Sequence, residues 1–345
     1  MPSLDDVARA AGVSTATVSR ALSGRGRTSE ETRERVRAAA EALGYVASAT
    51  ASSLASGRAE NIGVVVPLMD RWFFATVLDG IASVLAPHGY DITLYNLTDD
   101  QAQRRRLFDT ALRRGRVDAL IVLSVELSDA EVARLSSLGL PVVGLGVPRA
   151  ELPGLRVDDT AVGRLATEHL LALGHRDIAH IGVSRRDGRE ALDIPTRRRQ
   201  GFDDAVAAAR KAGSTVTARF VEADFTVSGA RRAASALLSE PQPPTAVFAA
   251  SDEMAYGVLA AARDRGLSVP GDLSVIGVDG HDLAALFDLT TIDQFPHAQG
   301  ERVGAAVLAA LGVGGVDAGR PPEAPLTEAS LPFHLVPRAT TAPPS

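Results

Sequence analysis

The sequence predicts an α/β protein: a small helical head, a linker, and a larger region built on two doubly wound parallel sheets. Three observations carry this. Serine-capped helical segments run up to Tyr45, an Ala/Ser-rich stretch follows at 47–58, and beyond Asn61 short apolar runs alternate with amphipathic helical stretches. A chain of 345 residues has room for two or three folded units.

In the head, Ser3 is placed to cap a first helix, with Asp6 at its third position and Val7, Ala8 and Ala11 at helical spacing before Gly12 stops it. Ser14 caps a second helix over Thr15 to about Leu22, with Val18, Ala21 and Leu22 inward. Ser29 caps a third, with Glu30 and Glu31 in the first turn, where the helix dipole favours acids, and Val36, Ala40 and Leu43 on one face before Gly44. The first two helices, joined through Gly12-Val13, read as a helix-turn-helix, and a three-helix unit of this size is commonly a DNA-reading head.

Residues 47–58 carry one large apolar side chain, Leu54, and read as a linker able to fold on contact. The apolar run Ile62–Pro67 then opens the larger region and is followed by a helix from about Phe73 to His88. Further strand-like runs lie at Asp91–Tyr95, Val117–Leu123, Pro141–Leu145, Ile178–Val183, Thr245–Ala250 and Leu273–Val278. Continuous apolar strands separated by helices signify parallel sheets covered on both faces. From Gly319 the chain is proline-rich and has no leucine heptads, which argues against a terminal coiled coil.

Composition excludes several classes of function. There is no cysteine, hence no thiolate zinc site, iron–sulfur cluster or cysteine nucleophile. Disorder does not fit a chain that is 46% hydrophobic and 23% charged. No apolar run is long enough for a membrane helix, and acids stand near the N-terminus where a signal peptide would be basic, so a cytoplasmic protein is expected. The net charge of −6 is unevenly spread: residues 1–58 hold eight arginines against six acids, a balance of +2, leaving −8 for the rest. The chain has no phosphate-binding loop, nucleophile elbow or His-Glu-x-x-His zinc motif, and its seven histidines lack ligand spacing. The expectation is therefore no enzyme, no metal and no cofactor.

The run Leu4-Asp-Asp-Val-Ala-Arg-Ala-Ala-Gly-Val-Ser-Thr-Ala-Thr-Val-Ser-Arg20, with Thr28-Ser-Glu-Glu-Thr-Arg33 and Leu43-Gly-Tyr45, closely resembles the DNA-binding head of the lactose-repressor/galactose-repressor family of bacterial transcription regulators. The likeness continues through Gly174-His-Arg-Asp-Ile-Ala-His-Ile-Gly182, Arg198-Arg-Gln-Gly-Phe202, Pro244–Asp252 and Val275–Asp279, nearly the whole chain. It implies a helix-turn-helix domain at 1–46, a hinge helix at 47–60 and an effector-binding core at 61–338 similar to periplasmic sugar-binding proteins. The core divides into an N-subdomain of about 61–158 plus 290–320 and a C-subdomain of about 159–289 plus 321–338, with 339–345 as a tail.

By the same resemblance Thr15, Ala16 and Arg20 read bases, while Ser14, Thr17, Ser19, Ser23 and Thr32 contact phosphates. The chemistry suits both roles, since an arginine fork fits guanine and small methyls fit thymine. In the hinge, Ala51 and Leu54 match the family, and Leu54 would wedge between central base steps, although Ala47-Ser48 and Ala51-Ser52 replace its usual Pro-Asn and Ala-Arg pairs. The implied effector cleft is lined by Trp72, Phe73, Phe74, Arg198, Phe225, Asp252 and Asp279. Rings, an arginine and carboxylates are what a polyol site needs. Phe73 and Phe74 also suit the core of the following helix, Phe225 the cleft mouth, and Asp252 a helix cap. Apolar Leu192 and Ile194 stand where purine-binding relatives have polar groups. The expectation is a homodimeric, sugar-controlled repressor of carbohydrate-utilisation genes binding a pseudo-palindromic operator. A purine- or nucleoside-responsive regulator of the same family is the nearest alternative; a sugar-binding transport receptor, or an enzyme acting on sugars, would share the core.

Overall fold

The structure, a computed structural model, describes residues 2–23, 28–45, 58–97, 100–112, 115–147, 151–183, 194–313 and 329–345. The hinge expected around Ala51 and Leu54, and Leu192, lie outside the described residues.

The head consists of α1 (Leu4–Ala11), α2 (Thr15–Ser23) and α3 (Glu30–Leu43). Ser3 and Asp6 form a reciprocal capping box, and Gly12 ends α1 in the left-handed conformation. Ser14 Oγ accepts from the Thr17 amide at 3.2 Å, and Ser29 Oγ from the Thr32 amide at 3.3 Å, so all three serines cap as expected. Val7, Ala8, Ala11, Val18, Ala21, Val36 and Ala40 form the core, closed by an Arg35 Nε donation to the Ala11 carbonyl at 3.0 Å. Leu43 does not join it: at 39% exposure it sits in the last turn of α3, beyond the buried Val36 and Ala40.

The first lobe carries a sheet in the order β11-β5-β4-β3-β1-β2. Its strands are β1 (Asn61–Val66), β2 (Asp91–Asn96), β3 (Ala119–Leu123), β4 (Val142–Leu145), β5 (Gly154–Arg156) and β11 (Ala329–Ser330), all parallel. Its helices are α4 (Trp72–Leu85), α5 (Gln101–Arg106), α6 (Asp129–Ser136) and α11 (Pro296–Ala310). The second lobe carries β12-β10-β9-β8-β6-β7, with β6 (Asp177–Gly182), β7 (Thr217–Glu222), β8 (Ala246–Ala249), β9 (Ser274–Asp279), β10 (Thr290–Asp293) and an antiparallel β12 (His334–Val336). Its helices are α7 (Asp159–Ala172), α8 (Ile194–Lys211), α9 (Val227–Leu237) and α10 (Asp252–Asp264). Central strands are buried along their length, as strands covered on both faces must be.

The expected lobe boundaries shift at three places. Residues 290–293 pair with β9 in the second sheet rather than belonging to the first lobe, so the crossover falls at Gln294-Phe295, where Phe295 has φ +55°. Residues 329–330 pair with β5 in the first sheet, and the chain crosses back before β12. Residues 339–345 are not a free tail. The Thr340 hydroxyl accepts from the Thr290 amide and donates to the Val275 carbonyl, both at 2.8 Å, and the Ala342 carbonyl meets Ser274 Oγ and His175 Nε2. These bonds satisfy main-chain groups that would otherwise be orphaned below β9 and β10.

One helix contact positions the site. α7 and α8 touch through Gly163, where a Cβ would lie 2.0 Å from the Arg198 carbonyl oxygen, and Gly201, where it would lie 2.0 Å from that of Thr160. Only glycines permit this approach, and it holds the first turns of α8 against the start of α7.

Candidate DNA-binding face and inter-lobe cleft

On α2, Thr15, Ala16, Thr17, Ser19 and Arg20 are exposed or half-buried while Val18 and Ala21 face inward. Ser14 Oγ lies 2.9 Å from Thr17 Oγ1, and Arg20 Nε donates to the Ala16 carbonyl at 3.0 Å, laying that side chain along the outer face beside Ala16. Thr32 Oγ1 pairs with Ser29 Oγ at 2.8 Å at the start of α3. Ser14, Ala16 and Arg20 are solvent-exposed, and Thr15, Thr17, Ser19 and Thr32 half-buried. Ser23 ends α2.

The cleft lies at the C-terminal ends of the strands, where an open α/β sheet changes winding direction and leaves a crevice. The order β7-β6-β8-β9 places that point between β6 and β8 in the second lobe. Arg198, rising from α8, is buried there, with Nε donating to Asp159 Oδ1 at 2.9 Å and Nη1 to the Ala250 carbonyl at 2.5 Å. Asp279 Oδ1 lies 3.8 Å from Nη1 and accepts from Gln294 Nε2 at 2.8 Å; Gln299 in turn donates to the Gln294 carbonyl. Asp279 has φ +129°, a backbone state that costs energy in any residue but glycine and recurs at binding sites. Burial pushes both carboxyls above their usual range, Asp279 well above it, with the Arg198 guanidinium opposing the rise. Ile194 at the start of α8 reaches the first lobe at Gly146, after β4, where a Cβ would lie 3.6 Å from its Cδ1.

Asp252 is fully buried. Its Oδ1 accepts from Thr291 Oγ1 at 2.6 Å and its Oδ2 from the His281 amide at 2.8 Å. It does not cap α10; Ser251 does, accepting from the Met254 amide at 3.2 Å, which puts Asp252 one residue inside the helix. Burial pushes its carboxyl up to about 6, against the hydrogen bonds it accepts. With both oxygens committed within the protein, Asp252 ties α10 to β10 and to the loop after β9.

The aromatic residues separate. Trp72 is half-buried at the start of α4 and stacks on His281 with ring centroids 4.3 Å apart and planes 23° from parallel. Phe74 turns inward with Val77 and Ile81 into the core, which removes it from the cleft; helical spacing puts the three on one face. Phe73 packs edge-on against Phe74, partly covering that core. Phe225 is partly buried against the second lobe's core. Sequence reasoning missed Asp159, Gln294 and His281. Asp159 stands in the first turn of α7, 39 residues before Arg198, and the other two lie outside the helices and strands, where no periodicity marks them.

Among the described residues no group of histidines and acids could hold a metal, and no helix is long and apolar enough to cross a membrane.

A periplasmic binding protein-like domain model matches residues 167–341, and the model for bacterial regulatory proteins of the lacI family matches residues 3–48. The HTH-type transcriptional repressor CytR of Escherichia coli (strain K12) is 35% identical over 296 residues, 84% of either chain. Of solved structures, the lac repressor dimer bound to operator and the anti-inducer ONPF has a TM-score of 0.79 at 26% identity, covering 99% of both chains. The complex of the transcriptional regulator CelR with cellobiose has a TM-score of 0.66 at 28% identity, covering 99% of this chain and all of that one. A serine-capped helix-turn-helix head ahead of a two-lobed α/β core, matched over this length, makes the chain a member of the LacI family of bacterial regulatory proteins, DNA-binding transcription regulators.

Proposed function

We propose that the chain is a cytoplasmic, homodimeric repressor whose operator affinity is set by a sugar bound between the lobes, with no catalytic step. The observation that carries this is the buried Arg198, held between Asp159 and Asp279 at the winding switch, with the Trp72 ring on the first-lobe side. Guanidinium and carboxylate groups pair with vicinal hydroxyls, and a ring covers the apolar face of a sugar. The cellobiose bound to CelR makes a carbohydrate the class to test first. A thermal-shift screen across mono- and disaccharides checks it, since a ligand at 100 times its dissociation constant adds roughly 2.7 kcal/mol of stability.

In the head, Thr15, Ala16 and Arg20 read bases, with Ser14, Thr17, Ser19, Ser23 and Thr32 on phosphates and Leu54 wedging in the minor groove beside Ala51. Arg20→Ala is expected to weaken operator binding by about 1–3 kcal/mol and relax preference at one base pair per half-site. Quantitative binding to a panel of single-base operator variants measures it, and full discrimination by the mutant contradicts the assignment.

Dimerisation is supported by an exposed apolar ridge after β9: Leu283 is 40%, Leu286 75% and Phe287 49% exposed. Side chains of this kind on one short segment suit burial against a second copy. Leu286→Asp is expected to yield monomers in sedimentation at micromolar concentration and to lose tight operator binding, because a two-fold operator needs two heads. A dimer of wild-type stability excludes this face.

A further inference from the structure

The cleft is bridged by the protein's own side chains at one corner. Trp72 opens α4 in the first lobe, whereas His281 follows β9 in the second, and their rings are stacked face to face. Tyr256 on α10 also meets His281, edge to face at 5.3 Å, and its own ring lies 5.1 Å from that of Phe287. The imidazole is held from behind: Nδ1 lies 3.0 Å from the Leu283 amide and 2.6 Å from Asp282 Oδ1, and its backbone amide donates to Asp252. Beside it, burial raises the Glu253 carboxyl at the start of α10, against the attraction of the Arg71 guanidinium and the Trp72 amide of the first lobe.

We propose that Trp72 and His281 form a clasp that holds the ligand-free cleft shut, and that a ligand stacking on Trp72 has to displace His281 from that ring. The imidazole occupies the flat surface a sugar ring would cover, so His281 acts as an internal competitor whose removal favours both opening and binding. This rests on the reading of the cleft as the effector site, but the clasp itself is measurable without any effector. A stacked aromatic pair contributes enough to shift an open-to-closed ratio by about 2- to 12-fold. Apparent ligand affinity scales with the fraction of molecules whose site is free.

The test uses the full-length protein, in which Trp72 is the only tryptophan and so reports the clasp alone. Emission and acrylamide quenching are compared for wild type, His281→Ala, His281→Gln and His281→Phe, with far-UV circular dichroism as the check of folding. Ala and Gln remove the ring, Gln keeping a polar group for the Leu283 amide in case Ala fails to fold; both are expected to red-shift Trp72 and raise its quenching constant. Phe restores a stacking partner and is expected to return both readings towards wild type. Folded ring-less variants with wild-type emission and quenching overturn the clasp. Cellobiose and ribose are then titrated by thermal shift: a sugar that binds wild type is expected to bind His281→Gln more tightly, by about 2- to 12-fold. Equal affinity overturns the competition. If neither sugar acts on any variant while the ring-less ones show the expected quenching, the clasp stands and the sugar reading of the cleft is what fails.

Discussion

Arg198→Leu is expected to destabilise the folded protein by about 3–5 kcal/mol at neutral pH, the usual cost of leaving a buried charge without its partner. The guanidinium is the cation bonded to Asp159, whose side chain is 7% exposed, and the one within 3.8 Å of Asp279, whose side chain is 8% exposed. Leucine fills most of the volume, so packing loss is the smaller effect. The pH dependence identifies the cause. Both carboxyls already stand above their usual range in the folded state, and losing Arg198 raises them further. A group with a raised folded pKa binds its proton more readily folded than unfolded, so the deficit shrinks as pH falls through the raised pKa and the acids become neutral. Urea unfolding at pH 7.5 and pH 5 measures both. A loss under about 1 kcal/mol at pH 7.5 would mean that the pair is exposed to water in solution and screened as surface pairs are.

His180 is expected to make the second lobe acid-labile by about 3 kcal/mol between pH 7 and pH 4. Its ring lies wholly inside the core, stacked on Phe248 with centroids 4.4 Å apart and flanked by Phe202 and Phe220 at 5.5 Å. Nδ1 donates to the Phe248 carbonyl at 3.0 Å, and the buried Nε2 has no partner among the described residues. Burial pushes the pKa down from 6.5 to about 4. The neutral form is therefore favoured by folding, and its contribution is complete above pH 6.5 and lost as pH falls towards 4, at about 1.4 kcal/mol per unit. The raised carboxyls of Asp252, Asp279 and Asp159 act in the opposite sense, so the whole-protein curve understates the histidine. His180→Asn isolates it, keeping a donor for Phe248 without a titrating ring. The difference in unfolding free energy between wild type and variant is expected to change by about 3 kcal/mol over that interval. A constant difference would show that water reaches Nε2.

Much of this was legible in the sequence because the signals were local. Ser3 with Asp6, Ser14 and Ser29 announced their helices by capping chemistry within three residues, and the runs at 62–66, 119–123 and 275–278 were too uniformly apolar for anything but covered strands. What escaped was set by distance. Residues 290–293 belong to the second sheet because β9 takes them, and β11 and β12, at two and three residues, are too short to show a period. Thr340 and Ala342 are held by hydroxyl and main-chain bonds invisible to hydropathy. At the site, Arg198 opened one motif and Asp279 ended another, and both could be named. Asp159, 39 residues from Arg198 in sequence, and His281, opposite Trp72, become site residues only when helices and lobes meet.

In the function proposed for this chain, occupancy of the cleft and affinity for DNA are coupled. Operator duplexes selected from a random pool by the full-length protein supply the DNA, and a sugar that saturates the Trp72 emission signal supplies the effector. The direct measurement is operator affinity with and without that sugar, together with sugar affinity with and without operator. Equal factors are expected in both directions, on the order of 5- to 150-fold, because coupling between two sites on one molecule is reciprocal. A sugar that saturates Trp72 while operator affinity stays unchanged would contradict it.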